Sequence, residues 1–505
     1  MALLNSEFQQ IIEKLNIFTR EGKRSEVIEN ILLAIKNKPS LIQKVQLANL
    51  ANRNTSPMLA MKILARDILY SDKEYDVEEE EIYSAWATSL LQIGALEDAE
   101  KYLLKTKTLK TRYLTNAFIN FARWDYIAAI PHLKKFIKNT QINDYQKLIG
   151  ELNLAASYVS IADFKNARKI LSYLIPRLKI ENSTRILYGN SIELAAQIEI
   201  LTKNFPQAKV FLDEAKYIFK ENKGRYLQYV LKWDLILKLT QDPNNLNFHK
   251  EFFQVRNNAI IDHDWETVRD CDFHFSRLTN NKNLLRSVCL GTPYKGFKDR
   301  IAKHFNIVIK DAEFSYVPGV LNKIPDRITW TLDQNYDRFD LSEGNFNLIE
   351  LLTRDIYKPP RVGEVFNKLY PGEVFNPFTS PGRVANTILR FNKWSKNNNE
   401  EFLIKIIEGD FILNGNSMYG IKRFLQFRNL NYWILPFNKL KKVKKGKTFS
   451  SDEFAKILMV SKRQANLLLK QALIKKLITK LSNGKSTRYI FKSTSRKSFN
   501  SIIKN

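Results

Sequence analysis

Arg383, Asn386, Thr387, Arg390 and Lys393 recur about one helical turn apart in the stretch SPGRVANTILRFNKW, a spacing that gathers them on one side of a helix. Their chemistry suits base-pair edges. A guanidinium fork matches guanine O6 and N7, an asparagine amide matches adenine N6 and N7, and a lysine ammonium settles on phosphate. A second set, Ser461, Lys462, Arg463, Asn466 and Lys470, lies in SKRQANLLLK, with Lys485 and Arg488 following in LSNGKSTRYIF. Between the sets run Lys441, Lys442, Lys444 and Lys445, a cationic segment able to lie along phosphates.

Charge is distributed to match. From residue 421 onward 22 Lys and Arg face two acids, so these 85 residues hold +20 of the chain's +28. Solubility needs far less, and a polyanionic partner explains the excess. The N-terminal MALLNSEFQQIIEKL has no basic segment followed by an apolar one, and no apolar run reaches the length of a membrane span. With only Cys271 and Cys289 in 505 residues, a disulfide framework is excluded and a cytoplasmic, reducing setting is expected, on the nucleoid if the source is bacterial.

Other chemistry is weaker. GTPYKGFKD, residues 291–299, lacks the Gly-Lys-Ser/Thr of a phosphate loop: Phe297 separates Gly296 from Lys298, and Asp299 stands where the hydroxyl belongs. SNGKST, residues 482–487, lacks the upstream glycine and reads as a turn. His263, Cys271 and His274 have no paired metal-ligand spacing. No nucleophile, paired carboxylate or glycine-rich cofactor pattern emerges, so the expectation is no catalysis, no cofactor and no metal.

Two sets of elements must position the basic faces. In the last stretch, Ser450 and Glu453 stand at capping-box spacing before a helix with Phe454, Ile457 and Leu458 inward. Ser461 opens a second helix with Ala465, Leu468, Leu469 and Ala472 on its buried stripe, and a hairpin turns at Asn483-Gly484. That order resembles a winged helix-turn-helix, which implies a second helix in the major groove and a hairpin wing on the backbone. Met459 stands where many such turns have glycine. Further upstream come two strands, the helix SEGNFNLIELL, Pro359-Pro360, the helix RVGEVFNKLY, a helix expected to be capped by Ser380 with Val384, Ile388, Leu389 and Trp394 inward, and the hairpin EFLIKIIEGDFILN. This run resembles the winged-helix effector domains of OmpR-type regulators. Its hairpin carries Glu401, Glu408 and Asp410 and is more acidic than a phosphate-contacting wing should be.

The N-terminal half repeats. Ala87 and Ala99, Ala117 and Ala129, Ala155 and Ala167, Ala196 and Ala208 each lie twelve apart, and GALEDA, WDYIAA, ADFKNA and KNFPQA precede or contain the second alanine. Small residues at such points let paired helices approach, with Tyr126, Phe164 and Phe205 filling the wedge. The segments resemble tetratricopeptide repeats over residues 80–220, with weaker pairs on either side. The resemblance implies an α-solenoid whose concave face takes a protein or peptide.

The expected architecture is mainly α: a helical-repeat solenoid over 1–312, a winged helix with leading strands over 313–420, a basic linker over 421–447, a second winged helix over 448–495 and a basic tail to 505. The expected function is a DNA-binding transcription regulator on double-stranded DNA, with the repeats docking or sensing a partner. Two other classes share these features: a scaffold subunit resembling PCI-domain proteins, and an RNA-binding adaptor using the aromatics of RFLQFRNLNYWILPF.

Overall fold

The computed structural model of the protein describes residues 5–20, 23–70, 80–106, 112–180, 184–220, 225–310, 313–318, 325–332, 343–424, 448–458, 462–474, 477–481 and 487–491. They are mainly helical and fall into two compact units, residues 1–425 and 426–505. No helix among the described residues is long and apolar enough to cross a membrane.

The first unit opens with helices taken in pairs: α1 (Asn5–Arg20) and α2 (Arg24–Lys36), α3 (Leu41–Arg53) and α4 (Pro57–Leu69), α5 (Glu81–Gln92) and α6 (Leu96–Leu103), α7 (Arg112–Ala122) and α8 (Tyr126–Ile137). There follow α9 (Asp144–Ser160) and α10 (Phe164–Lys179), α11 (Arg185–Leu201) and α12 (Phe205–Phe219), α13 (Arg225–Gln241) and α14 (Leu246–Ile261), α15 (Trp265–Leu278) and α16 (Lys282–Gly291), then α17 (Lys295–Phe305). From α1 to α16 each helix packs chiefly on its neighbours in the chain, whereas α17 sets Phe297, His304 and Phe305 against Trp124, Phe164 and Phe273.

The turn within a pair uses one device. A residue in the left-handed region, such as Gly94, Trp124, Ala162, Lys203 or His263, ends the first helix. In three pairs an aspartate comes next and accepts an N–H of the second helix: Asp125 from Ala128, Asp163 from Asn166, Asp264 from Thr267. Such a cap is worth about 1 kcal/mol, enough to offset part of the strain of a non-glycine left-handed residue. An aromatic residue then opens the second helix, as Tyr126, Phe164, Phe205 and Trp265 do, and its ring lies against the core. All eight alanines of the sequence pattern are fully buried. Enlarging Ala129, Ala167 or Ala208 to leucine is therefore expected to cost roughly 1 to 3 kcal/mol each through overpacking. Chemical denaturation of the full chain measures this, and unchanged midpoints in all three variants would refute the close approach of these helices.

The rest of the first unit contains β1 (Glu313–Tyr316), β2 (Arg327–Leu332), α18 (Glu343–Arg354), α19 (Val362–Leu369), α20 (Ser380–Asn397), β3 (Phe402–Ile407), β4 (Asp410–Gly415) and β5 (Tyr419–Phe424). Strand β5 lies between β1, which it pairs antiparallel, and β2, which it pairs parallel. Strands β3 and β4 form a separate hairpin, turned by Glu408 and Gly409 at φ 48° and 87°, the two positive values that a tight type I′ turn demands. Arg361, just before α19, bridges antiparallel to Asp410 at the start of β4.

The second unit repeats that order in miniature. Phe449 bridges antiparallel to Tyr489; between them come α21 (Ser451–Leu458), α22 (Lys462–Ile474) and β6 (Ile478–Lys480), and Tyr489 opens β7 (Tyr489–Phe491). Ser450 Oγ accepts the Glu453 N–H at 3.1 Å, capping α21. Phe449, Phe454, Ala465, Leu468, Leu469, Ala472, Leu477 and Ile478 make its core, the helix positions among them spaced as one amphipathic stripe requires.

Candidate nucleic-acid interface

Helix α20 carries the first basic set. Val384, Ile388, Phe391 and Ser395 form its buried stripe, at steps of four, three and four residues. Leu389 was expected inward but is 65% exposed, because it sits about 100° around the helix from Ile388, beyond the seam. Phe391 takes the inward place instead. The cap is also displaced by one residue: Thr379 occupies the cap position, and the Ser380 hydroxyl accepts the Asn376 N–H at 2.9 Å, fastening the preceding loop.

The opposite side of α20 exposes Asn386, Arg390 and Lys393. Arg390 Nε donates to the Asn386 carbonyl at 3.2 Å. Two members of the set are engaged within the protein. Arg383 reaches Glu373 at 2.6 and 3.2 Å and lies 3.9 Å from the Tyr370 ring centre. The Glu373 hydrogen bond raises its pKa and outweighs the effect of partial burial. Thr387 shares a 2.9 Å hydrogen bond with Tyr370 and donates to the Arg383 carbonyl. The exposed part of the set on α20 is thus Asn386, Arg390 and Lys393, while Arg383 and Thr387 hold α20 to the loop before it.

In the second unit Lys462, Asn466 and Lys470 are exposed on α22. Lys462 pairs with Asp452 at 2.9 Å, and Arg488, beside β7, comes within 3.9 Å of Glu453. Both are surface contacts that salt and a competing phosphate readily displace. Lys441, Lys442, Lys444, Lys445, Ser461 and Lys485 lie outside the described residues, as does the Arg463 side chain.

Of the weak motifs, SNGKST lies almost wholly outside the described residues, and the others are packed in the first unit. GTPYKGFKD is the corner from α16 into α17, with Phe297 buried edge-on against Trp124. Gly296 meets the Trp124 carbonyl so closely that a methyl group there would collide with it. Cys271 and His274 are completely buried; desolvation pushes the thiol up and the imidazole well below its ordinary pKa. His263 lies instead in the turn before α15. Among the described residues no group of three His, Cys, Asp or Glu is placed to hold a metal ion.

What sequence reasoning missed is how residues 355–363 and the β3–β4 hairpin meet the helix pairs. Arg361 Nη1 donates to the Gln92 carbonyl at 3.0 Å, the Gly363 N–H to Ile93 at 2.8 Å, and Lys358 Nζ to Ala122 at 3.3 Å. Lys303 of α17 does the same for Ile161 at 2.9 Å. These carbonyls end α5, α7 and α9, where the helix dipole favours cations. At the centre Arg269, with no exposed surface, binds Asp355 at 2.6 Å and lies 3.1 Å from Glu266. The Trp124, Tyr294, Phe297 and Tyr357 rings surround it at 5.3 to 5.8 Å. One signal was available: HDWETV repeats the turn pattern of WDYIAA and ADFKNA, with His263 left-handed, Asp264 capping and Trp265 first in the helix.

No family model matches the chain, and no curated protein matches it.

Proposed function

We propose that the protein is a DNA-binding regulator that reads duplex DNA through the exposed faces of α20 and α22, each belonging to a winged helix-turn-helix, and that residues 1–312 are a tetratricopeptide-like solenoid that docks or senses a partner. One observation carries the reading. The order of bridge residue, helix, helix and hairpin occurs twice, with the hairpin returning to the bridge residue each time. In both copies the second helix turns basic and amide side chains outward. An asparagine and an arginine on such a face supply direct readout, and the +20 of the last 85 residues supplies the sequence-independent affinity.

The full chain is expected to lose a power of ten or more in affinity between roughly 50 and 200 mM salt as counterions are released. On a site enriched from a genomic duplex library, Asn466→Ala and Arg390→Ala should each cost roughly 1 to 3 kcal/mol and relax the sequence preference, whereas Lys393→Ala should weaken all sequences alike. Anisotropy titrations on the enriched and a scrambled duplex decide it. Equal losses on both duplexes for Asn466→Ala and Arg390→Ala would remove both helices from the readout, and salt-independent binding would remove DNA altogether.

A scaffold role is the second reading, favoured by one feature: hairpin β3–β4 contacts helix pairs of its own chain, which is a protein-contact use of a wing.

A further inference from the structure

Resting on the DNA-binding reading above, the geometry points to hairpin β3–β4 as an intramolecular latch: its tip fastens α20 to the helix pairs and leaves α20 alone to meet DNA in this unit. The tip is built for protein. Asp410 Oδ2 accepts from Trp265 Nε1 at 2.7 Å and contacts His263 Nδ1 at 3.1 Å, both on the turn into α15. Its other oxygen accepts from Arg361 Nε at 3.3 Å. The Asp410 side chain is only 2% exposed, so its hydrogen-bonding capacity is turned inward. Glu408, on the outer side of the turn, pairs with His263 Nε2 at 3.4 Å.

Phosphate is the wrong partner for such a tip. Two carboxylates flank Gly409, and a backbone phosphate brought against them would meet like charge. The donors that could reverse this, His263, Trp265 and Arg361, already face Asp410. The latch also sets the position of α20: Asn392 holds β3 through both the N–H and the carbonyl of Ile404, at 2.8 Å each, and Ser395 donates to the Phe402 carbonyl. A hairpin anchored at its tip to α15 and along β3 to α20 fixes the angle at which Asn386, Arg390 and Lys393 are presented.

The test uses the full chain and three variants. In Asp410→Ala, amide exchange at residues 262–266 and 408–412 should rise together by about tenfold or more, because one contact protects both segments. Trp265→Phe, which removes the indole donor and part of the ring while His263 stays beside Asp410, should raise the same two segments by a smaller factor. Glu408→Lys should leave the slope of log affinity against log salt unchanged; a tip on phosphate would steepen it by about one unit. A steeper slope for Glu408→Lys, or exchange that rises in one segment alone, overturns the latch. If the wild-type chain binds no DNA the function proposed above fails, while coupled exchange still upholds the fastening and uncoupled exchange removes it.

Discussion

Replacing Arg269 with alanine is expected to lower the unfolding free energy of the 1–425 unit by about 3 to 5 kcal/mol, the range for removing one partner of a fully buried ion pair. The cause lies in what stays behind. Asp355 keeps its contact with the Tyr357 N–H and Glu266 keeps the Trp124 indole, but Asp355, whose side chain is buried, loses the cation it binds, while the part-exposed Glu266 is left facing solvent. Arg269→Met, which restores most of the volume, should recover little, because charge rather than volume is unmet. Adding Asp355→Asn to Arg269→Met should recover part of the loss, since it removes the orphaned charge. Denaturant unfolding of wild type, Arg269→Met, Asp355→Asn and the double variant completes a double-mutant cycle. Strict additivity, or a loss below about 1 kcal/mol for Arg269→Ala, would show that the pair does not hold the unit together.

Glu193 on α11 should make the same unit less stable as pH rises from acid to neutral. It is 8% exposed, and burial pushes its carboxyl from the ordinary 4.5 to about 7, with Lys232 opposing the shift. Below pH 4.5 the acid is protonated in folded and unfolded chains alike, and its contribution is fully present. Between 4.5 and about 7 the unfolded chain releases the proton and the folded one retains it, so stability falls by up to 1.4 kcal/mol per pH unit, roughly 3 kcal/mol in all, and levels off above. His274 works against this in part of the window: it is held neutral by burial, which destabilises the fold as pH drops below the ordinary histidine range. Asp270, which burial would raise but Lys232 and Arg300 keep well below the ordinary carboxylate range, acts only at lower pH. The wild-type profile is therefore a sum, and Glu193→Gln isolates one component. Its stability relative to wild type should climb from pH 5 to 7 and then hold constant. Parallel wild-type and Glu193→Gln profiles would mean that Glu193 ionises normally in the fold.

Helical character was legible in the sequence because its causes are local. A buried small residue, a capping aspartate and an aromatic at the start of the second helix lie within about six residues, and each acts on its own turn. The inward stripe of α20 was half legible: Val384 and Ile388 follow the period, while Leu389 shows that hydrophobicity alone does not place a residue at the edge of a stripe. The contacts within the 1–425 unit were not legible. Arg269 and Asp355 lie 86 residues apart, and His263 and Asp410 lie 147 apart. In one dimension a buried arginine reads like a solvated one, since the same side chain serves both and only the fold supplies the partner. Asp410 counted as one acid of a wing until the turn at His263 appeared beside it.

The cations that close α5 and α7 carry a consequence for how the chain emerges during synthesis. Lys358 follows Ala122 by 236 residues, and Arg361 follows Gln92 by 269. Helix pairs made of neighbouring contacts can form as soon as they leave the ribosome, whereas these carbonyls must wait for their donors. At about 5 to 20 residues per second the delay is roughly 12 to 50 s. Throughout it Gly94 lacks the Arg361 and Glu364 side chains that pack beside it, whereas the Trp124 ring is covered earlier, once Phe297 emerges, and the carboxylate of Glu266 reaches Arg269 long before that of Asp355. The early helix pairs are thus complete in secondary structure long before they are complete in surface, and the interval in which a chaperone or a misfolding contact can act on them is set by chain length.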